Sequence, residues 1–168
     1  MIHASRSPEI SILAARLDDL HAIMLLEQSG FSADEQWSER SWHGELLAEN
    51  GTILLARAQH PVGVISIKTL GELADLHRLV VEPRSRRRGI GADLVRAGLE
   101  VVRQLGVREV ILDVAYRNEP AIALYQQLGF EQLSARQNYY GPGQHALIMK
   151  LYELQTWPDR LARTTEEV

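Results

Sequence analysis

Residues 79–92 constrain this chain more than any other stretch, because they predict a strand, a turn and a helix in immediate succession. Leu79–Val81 form an apolar, β-branched run of the kind found in buried strands. The nine residues 84–92 that follow read RSRRRGIGA, with four arginines and two glycines. A strongly amphipathic segment with helical spacing begins at Ile90. The sequence therefore predicts a strand that leads through a basic, glycine-bearing turn into the N-terminus of a helix.

This turn is a candidate anion site. It brings backbone N–H groups, a helix N-terminus and positive side chains to one point, an arrangement that suits a pyrophosphate. Gly89 and Gly91 would let the backbone approach a ligand closely, because they carry no Cβ atom. Arg86, Arg87 and Arg88 could add forked contacts to phosphate oxygens. The alternative is a solvated basic loop that binds nothing.

Two common phosphate motifs do not fit this turn. A P-loop is excluded, because no Lys-Ser or Lys-Thr pair follows the glycines. A Rossmann dinucleotide site is disfavoured by the glycine spacing and by the strands before the turn, which read as antiparallel. Those strands are predicted over Thr52–Arg57, Val62–Lys68 and Asp75–Val81.

The composition restricts the class of protein. The chain has 168 residues, no cysteine and a formal net charge of −4, which suits one soluble domain. The missing cysteines exclude a disulfide scaffold, a thiolate nucleophile and Cys-based metal sites, and the six histidines show no metal-ligand spacing. We expect no metal, no nucleic-acid partner, no membrane span or signal peptide, and a cytoplasmic location. The sequence leaves a homodimer open.

The predicted elements follow the order β-α-α-β-β-β-α-β-α-β-β, which indicates one mixed α/β domain with parallel and antiparallel pairs. We expect a flexible N-terminus over residues 1–9, a folded domain over 10–152 and a C-terminal extension over 153–168. Gly98 lies inside the helix that follows the basic turn, where glycine lowers helicity. It therefore predicts a close packing contact at that position.

A second group of polar residues lies downstream of the turn. Asp113 is flanked by Leu112 and Val114 in a predicted strand, so its side chain would face away from theirs. Asn118 and Tyr125 follow in the next loop and helix. Asp113 could act as a general base and Tyr125 as a general acid. The structural alternative makes Asp113 an ion-pair partner and Tyr125 a core aromatic residue.

The two regions together resemble a known superfamily. Arg86-x-x-Gly89-x-Gly91 matches the [Q/R]-x-x-G-x-[G/A] motif of the GCN5-related N-acetyltransferases. Residues 118–130, NEPAIALYQQLGF, match the second hallmark of that superfamily, N-x-x-A-x-x-L-Y-x-x-x-G-F. The resemblance covers roughly residues 10–152, and it is strongest to the ribosomal-protein N-terminal acetyltransferases of the RimI type. It implies a mixed, twisted sheet of about six to seven strands flanked by about four helices.

The resemblance also implies a donor and a set of roles. Acetyl-CoA would be the donor, and it would transfer its acetyl group directly to an amine. Asp113 stands at the family's base position, and Tyr125 at the position of the acid that protonates the leaving thiolate. The residues expected to bind the donor are Leu79, Val80, Val81, Arg86, Arg87, Arg88, Gly89, Ile90, Gly91, Ala92 and Asn118.

The acceptor implied by the resemblance is the N-terminal α-amino group of a protein such as a ribosomal protein. Trp37, Tyr139 and Tyr140 lie in or near loops that could shape a groove for it, although ordinary packing would explain them too. The alternatives are a small-molecule amine, a protein lysine, or a CoA-binding module with weak catalysis. Two features depart from the subgroup: Asp113 replaces the usual glutamate, and Gln144-His145 replaces acidic residues before the last strand.

Overall fold

The fold is built on one seven-stranded mixed sheet in the order β1-β2-β3-β4-β5-β7-β6. The structure is a computed structural model, and it describes residues 9–157. The strands are β1 (Ser11–Ala14), β2 (Gly51–Arg57), β3 (Pro61–Leu70), β4 (Leu73–Val81), β5 (Glu109–Ala115), β6 (Glu131–Arg136) and β7 (Ala146–Leu151).

Four α-helices flank this sheet in the part of the chain that the structure describes. They are α1 (Leu20–Gly30), α2 (Glu39–Leu47), α3 (Ile90–Gln104) and α4 (Glu119–Gln127). The predicted order of elements and the mixed α/β architecture are therefore confirmed. The strands β3 and β4 run a few residues beyond their predicted limits, and Gly71, with a φ of +61°, makes the tight turn between them. No helix within residues 9–157 is long and apolar enough to cross a membrane.

A β-bulge interrupts the pairing of β3 with β4. Ser66 pairs with Arg78 and Ile67 pairs with Leu76, so His77 is an extra residue on β4. Such a residue locally breaks the alternation of side chains between the two faces. As a result, His77 and Arg78 both reach the layer of α1 and α2, where they contact Glu45 and Glu27.

The strands β4 and β5 separate halfway along their length. They pair in parallel only where Leu73–Leu76 of β4 lie beside Glu109–Leu112 of β5. Beyond that point β4 stays on β3 as far as Val81, whereas β5 stays on β7 as far as Ala115. A gap therefore opens in the middle of the sheet at the C-terminal ends of these two strands.

The sheet buries one apolar cluster on each face. The larger cluster contains Leu94, Leu99 and Val102 of α3, together with inward-facing residues of β3, β4, β5 and β7. The smaller cluster contains Ile23 and Leu26 of α1, Trp42 of α2 and residues of β2, β3 and β4. The close contact predicted at Gly98 is confirmed, because a Cβ atom there would lie 2.7 Å from Cδ1 of Ile67.

The packed chain continues past the last strand. Leu154 and Trp157 are both buried in the larger cluster. The Nε1–H of Trp157 donates a hydrogen bond of 2.6 Å to the carbonyl of Leu128 at the end of α4. Most of the flexible N-terminus predicted over residues 1–9, and residues 158–168 of the predicted extension, lie outside the described residues.

Candidate functional site

The gap between β4 and β5 opens into a cavity of about 340 Å³. Its walls come from the ends of both strands, from the start of α4 and from two loops, residues 31–38 and 137–145. The site residues predicted from the sequence that line it are Trp37, Leu79, Asp113, Asn118, Tyr125 and Tyr140. The cavity thus brings together residues that are up to about a hundred positions apart in the chain.

Asp113 lies on the side of β5 that faces this cavity. Its neighbours Leu112 and Val114 are buried in the larger core cluster, while Asp113 is exposed. Partial burial, together with the negative charge of Asp113, raises the pKa of Tyr140 to about 12. Both Asp113 and Tyr140 line the cavity.

Tyr125 of α4 reaches the same cavity from within the core. It is 5% exposed, and its ring packs edge-on against Phe130 at a centroid distance of 5.6 Å. Burial raises the pKa of this phenol well above its usual value. The Tyr125 hydroxyl is therefore protonated at physiological pH and can donate its hydrogen to a group in the cavity.

Asn118 begins the helix that carries Tyr125. Its Oδ1 atom accepts a 3.3 Å hydrogen bond from the backbone N–H of Ala121, which makes it the N-cap of α4. Pro120 fits the first turn of this helix, since its missing N–H would have had no partner there. The cap leaves the Asn118 side-chain amide group able to donate into the cavity that it lines.

The basic turn precedes α3, as predicted. Gly89 has a φ of +78° and no atom within 4 Å of where a Cβ would stand, so a ligand can approach its backbone closely. Arg87 also has a positive φ, of 63°. The N–H groups of the first turn of α3 have no partners within the helix, which leaves them available to an anion. The Arg87 and Arg88 side chains are exposed beside them.

Three residues of the predicted donor site, Arg86, Val80 and Ile90, differ from the simplest expectation. The Nε–H of Arg86 donates a 3.1 Å hydrogen bond to the carbonyl of Val81, so this arginine partly serves to hold the turn against β4. Val80 points its side chain into the cluster under α1, and Ile90 is buried as well. Val80 and Ile90 can therefore meet a ligand only through their backbone groups.

The loop of residues 31–38 forms one wall of the cavity and is held by a buried ion pair. Glu27 of α1 is fully buried and accepts hydrogen bonds from Arg78, from the Trp37 backbone at 2.8 Å and from Trp42 Nε1 at 3.0 Å. Arg78 also donates to the carbonyl of Glu35, and its guanidinium lies 3.6 Å from the ring centroid of Phe31. One ion pair thus fixes both ends of this loop.

The opposite wall is the loop between β6 and β7. The Oδ1 of Asn138 accepts a 2.7 Å hydrogen bond from the N–H of Gly143, and Nδ1 of His145 accepts one of 3.0 Å from the N–H of Asn138. These bonds shape a closed loop that turns Tyr140 and Gln144 toward the cavity. Tyr139 does not line the cavity; it lies against Arg136, whose guanidinium is 5.3 Å from its ring.

Sequence reasoning missed the charged residues that organise the site. Glu27 and Arg78 were not predicted as a pair, and neither was the contact between Glu45 and His77. One signal was available, because Glu27 follows Ile23 and Met24 on the apolar face of α1, where a carboxylate requires a partner. Trp42, whose indole donates to Glu27, is fully buried in the smaller cluster.

Comparison with known proteins assigns this architecture to a family. The family model described as "Acetyltransferase (GNAT) family" matches residues 12–130. The [ribosomal protein bS18]-alanine N-acetyltransferase of Salmonella typhimurium is 31% identical over 145 residues, which are 84% of this chain and 95% of that protein. The N-alpha-acetyltransferase RimI of Mycobacterium tuberculosis is 32% identical over 136 residues, which are 78% of this chain and 84% of that protein.

The fold agrees with these sequence matches. The crystal structure of the ribosomal-protein-S18-alanine N-acetyltransferase from Escherichia coli superposes with a TM-score of 0.81 and 26% identity. The match covers 86% of this chain and 94% of that one. The family model spans most of the chain, and the splayed ends of β4 and β5 line one cavity with Tyr125. This chain therefore belongs to the GNAT family of acetyltransferases.

Proposed function

We propose that this protein transfers the acetyl group of acetyl-CoA directly to the N-terminal α-amino group of a protein. The observation that carries the proposal is the cavity, in which the free edge of β4, Asp113 and Tyr125 meet between two loops. A donor would enter from the side of the basic turn. An acceptor would enter between the loop of residues 31–38 and the loop of residues 137–145.

The donor side fits a CoA molecule in three places. The N-terminus of α3 and the exposed Arg87 and Arg88 suit the pyrophosphate. The backbone of Leu79–Val81 has no strand beside it on the side of β5, so an extended amide-bearing arm can pair with it. The Asn118 amide lies farther along the same cavity, where it can meet the arm.

The chemistry needs an amine that has lost its proton and a leaving thiolate that gains one. The neutral amine attacks the thioester carbonyl, an N–C bond forms, and the C–S bond breaks. Backbone N–H groups near Leu79–Val81 would polarise the carbonyl. Tyr125, which is protonated before the reaction because its pKa is raised, would donate its hydrogen to the sulfur.

A protein N-terminus is an easy nucleophile for such a site. An α-amino group has a pKa of ~7.7–8.0, against ~10.4 for a lysine side chain, so far less help is needed to deprotonate it. Asp113 is shorter than glutamate and open to solvent. It therefore suits the removal of a proton through a bound water.

The two loops between which we propose that the acceptor enters carry groups that suit a charged N-terminus. Asp34 and Glu35 line the cavity, and each has a carboxylate oxygen 2.8 Å from the Ser32 hydroxyl, which can donate its one hydrogen to either of them. Tyr140 and Gln144 offer further polar contacts from the opposite loop. His145 instead bonds within its loop. Of the two residues that replace the subgroup's acidic pair, Gln144 is thus the one placed to affect acceptor choice.

The relatives support the same class of acceptor. The Salmonella typhimurium and Mycobacterium tuberculosis proteins are named for transfer to an alanine N-terminus and to an α-amino group, and they match most of this chain. We therefore propose a ribosomal protein with an N-terminal alanine as the natural acceptor, which implies a cytoplasmic location.

A panel of acceptors tests the proposal. Acetyl-CoA is incubated separately with three acceptors, and thiol release is measured. The first is a peptide that begins with alanine, the second is the same peptide with a blocked N-terminus and one internal lysine, and the third is spermidine. We expect turnover on the free N-terminus alone. Turnover on spermidine or on the blocked peptide, but not on the free N-terminus, would contradict it. Acetyl-CoA binding without turnover on any acceptor would favour a CoA-binding module.

A further inference from the structure

We propose that His77, held by Glu45, is a proton acceptor for the incoming amine, so that the site has a histidine base in addition to Asp113. This inference rests on the proposed amine acetylation. It is carried by the position of His77, which lines the cavity at the bulge of β4. Without the bulge, His77 and Arg78 could not both face the layer of α1 and α2.

The contact with Glu45 determines which ring nitrogen is free. Nδ1 of His77 lies 3.1 Å and 3.3 Å from the two carboxylate oxygens of Glu45. A carboxylate only accepts hydrogen bonds, so Nδ1 must carry a hydrogen. In the neutral ring Nε2 is therefore unprotonated and can accept a proton. Glu45 is a positioning residue in this scheme, since it fixes both the tautomer and the ring orientation.

The surroundings stabilise the ring once it has taken a proton. Nε2 lies 3.6 Å from Oδ2 of Asp75, a residue on the same strand. Glu45 is anchored on its other side by the Ser66 hydroxyl at 2.6 Å and by Lys68 Nζ at 3.6 Å. The Trp37 ring covers His77 edge-on, with centroids 6.3 Å apart. Two carboxylates, those of Glu45 and Asp75, thus contact the imidazole, whereas the ammonium group of Lys68 contacts Glu45 and opposes their effect.

The electrostatics agree with this geometry. The hydrogen bond that His77 Nδ1–H donates to Glu45 raises the pKa of His77, with a smaller contribution from Asp75. Burial acts to raise the pKa of Glu45 but is outweighed by its hydrogen bonds with His77 and Ser66, so this pKa is lowered and Glu45 stays ionised. Burial raises the pKa of Asp75, an effect that His77 opposes and Asp113 reinforces.

An imidazole is a better match than a carboxylate for the proton of an α-ammonium group. The ordinary pKa of histidine is ~6.5 and that of aspartate is ~3.9, against ~7.7–8.0 for the ammonium. In the balanced reaction the ammonium loses two protons. His77 takes the first before attack and releases it to solvent. The second leaves the attacking nitrogen through the water on Asp113 and restores the phenol of Tyr125, whose own proton goes to the sulfur, so that one proton in all is released to solvent.

His77→Gln and Glu45→Gln test this scheme, with His60→Gln as the matched control. His60 also contacts a carboxylate, that of Glu82 at 3.0 Å, but it does not line the cavity. With the alanine peptide we expect His77→Gln to lower kcat/KM by roughly 100-fold. Glu45→Gln should move the acidic limb of the pH profile to lower pH, because it removes the group that raises the pKa of His77. His60→Gln should leave both unchanged.

Two controls separate this inference from the proposed function. Acetyl-CoA affinity and thermal unfolding of each variant show whether it is folded and binds the donor. If the wild-type protein acetylates spermidine instead of peptides, the proposed acceptor is wrong. The role of His77 is still tested in that case, by measuring kcat/KM of the variants with spermidine. Nitrogen-15 NMR reports the tautomer with or without turnover. An Nε2–H tautomer, or a His77→Gln variant with wild-type kcat/KM and pH profile, would overturn the inference.

Discussion

The guanidinium of Arg78 and the carboxylate of Glu27 form a buried ion pair across 51 residues of sequence, with the Nε–H of Arg78 3.1 Å from Oε1. The pair joins β4, which borders the cavity, to α1, which leads into the loop of residues 31–38. The Trp37 backbone and the Trp42 indole donate to the same carboxylate. The ion pair of Glu27 and Arg78 therefore fastens the loop of residues 31–38 to the sheet.

Glu27→Gln should be strongly destabilising, because it leaves the charge of Arg78 largely buried without a counterion. Breaking a buried pair in this way costs about 3–5 kcal/mol, and the amide, which keeps some hydrogen bonds, should fall near the lower figure. The free energy of unfolding in urea measures the effect. The matched control is Glu100→Gln, which removes an exposed partner of Arg103 and should change stability little. Equal effects of the two substitutions would contradict this role for Glu27.

Much of this fold could be predicted from local patterns, because each pattern reports on nearby residues. The apolar run at Leu79–Val81, the glycines of the turn and the amphipathic helix are local signals, and the structure confirms the elements that they predict. The alternation around Asp113 also placed its side chain on the face opposite its neighbours. Six of the candidate site residues line one cavity: Trp37, Leu79, Asp113, Asn118, Tyr125 and Tyr140.

The parts that could not be predicted depend on pairings between distant residues. The bulge at His77 follows from the register of β3 on β4, and period-two alternation does not reveal which residue is extra. Glu45 meets His77 across 32 residues only because α2 packs over that bulge. Similarly, the side chain of Val80 faces α1 because the bulge shifts every later residue of β4 to the other face.

The interaction between His77 and Glu45 should make stability depend on pH. The pKa of folded His77 is raised, so its contribution is fully present below the unfolded value of ~6.5 and is lost as the pH rises through the folded pKa. The free energy of unfolding in urea should therefore differ most between wild type and His77→Gln near about pH 6, and least in mildly alkaline buffer. In a Glu45→Gln background the difference should vary much less with pH, because only the smaller contribution of Asp75 remains. A difference in the free energy of unfolding that grows as the pH rises would contradict the proposed interaction of His77 with Glu45.

Two glycines in helices should respond to alanine with opposite signs. At Gly98 a Cβ would stand 2.7 Å from Ile67 and 3.5 Å from Ile65, so alanine would overpack the core, at a cost of roughly 1–3 kcal/mol. The improved helix propensity, about 1 kcal/mol, offsets only part of this. At Gly44 of α2 no atom lies within 4 Å, so alanine should stabilise by about 0.5–1 kcal/mol. Thermal unfolding of both variants gives the comparison, and a stabilised Gly98→Ala would show that α3 can move away from β3.

Two substitutions of Gly89 should separate the effect of an added side chain from the effect of an added negative charge on acetyl-CoA binding. Gly89→Glu forces a side chain into the left-handed region and places a negative charge where we propose the pyrophosphate, so acetyl-CoA binding should be lost. Gly89→Asn is the matched control, since asparagine tolerates this backbone conformation and adds no charge. Calorimetric titration with acetyl-CoA should show near wild-type affinity for the asparagine variant. Retained affinity in Gly89→Glu would show that the phosphates bind elsewhere.

Tyr125→Phe should separate catalysis from binding. The hydroxyl is held at the cavity by a buried ring, and burial keeps it protonated by raising its pKa. Removing it deletes the proposed donor to the thiolate but retains the ring that packs against Phe130. We expect kcat to fall by roughly 100-fold or more, with acetyl-CoA affinity and thermal stability close to wild type. Tyr140→Phe is the comparison, because Tyr140 lines the cavity from the loop of residues 137–145, where we propose that the acceptor enters, and loss of its hydroxyl should affect KM for the peptide more than kcat. An unchanged kcat in Tyr125→Phe would rule out its role as the acid, and a lowered acetyl-CoA affinity without a lowered kcat would make it a binding residue instead.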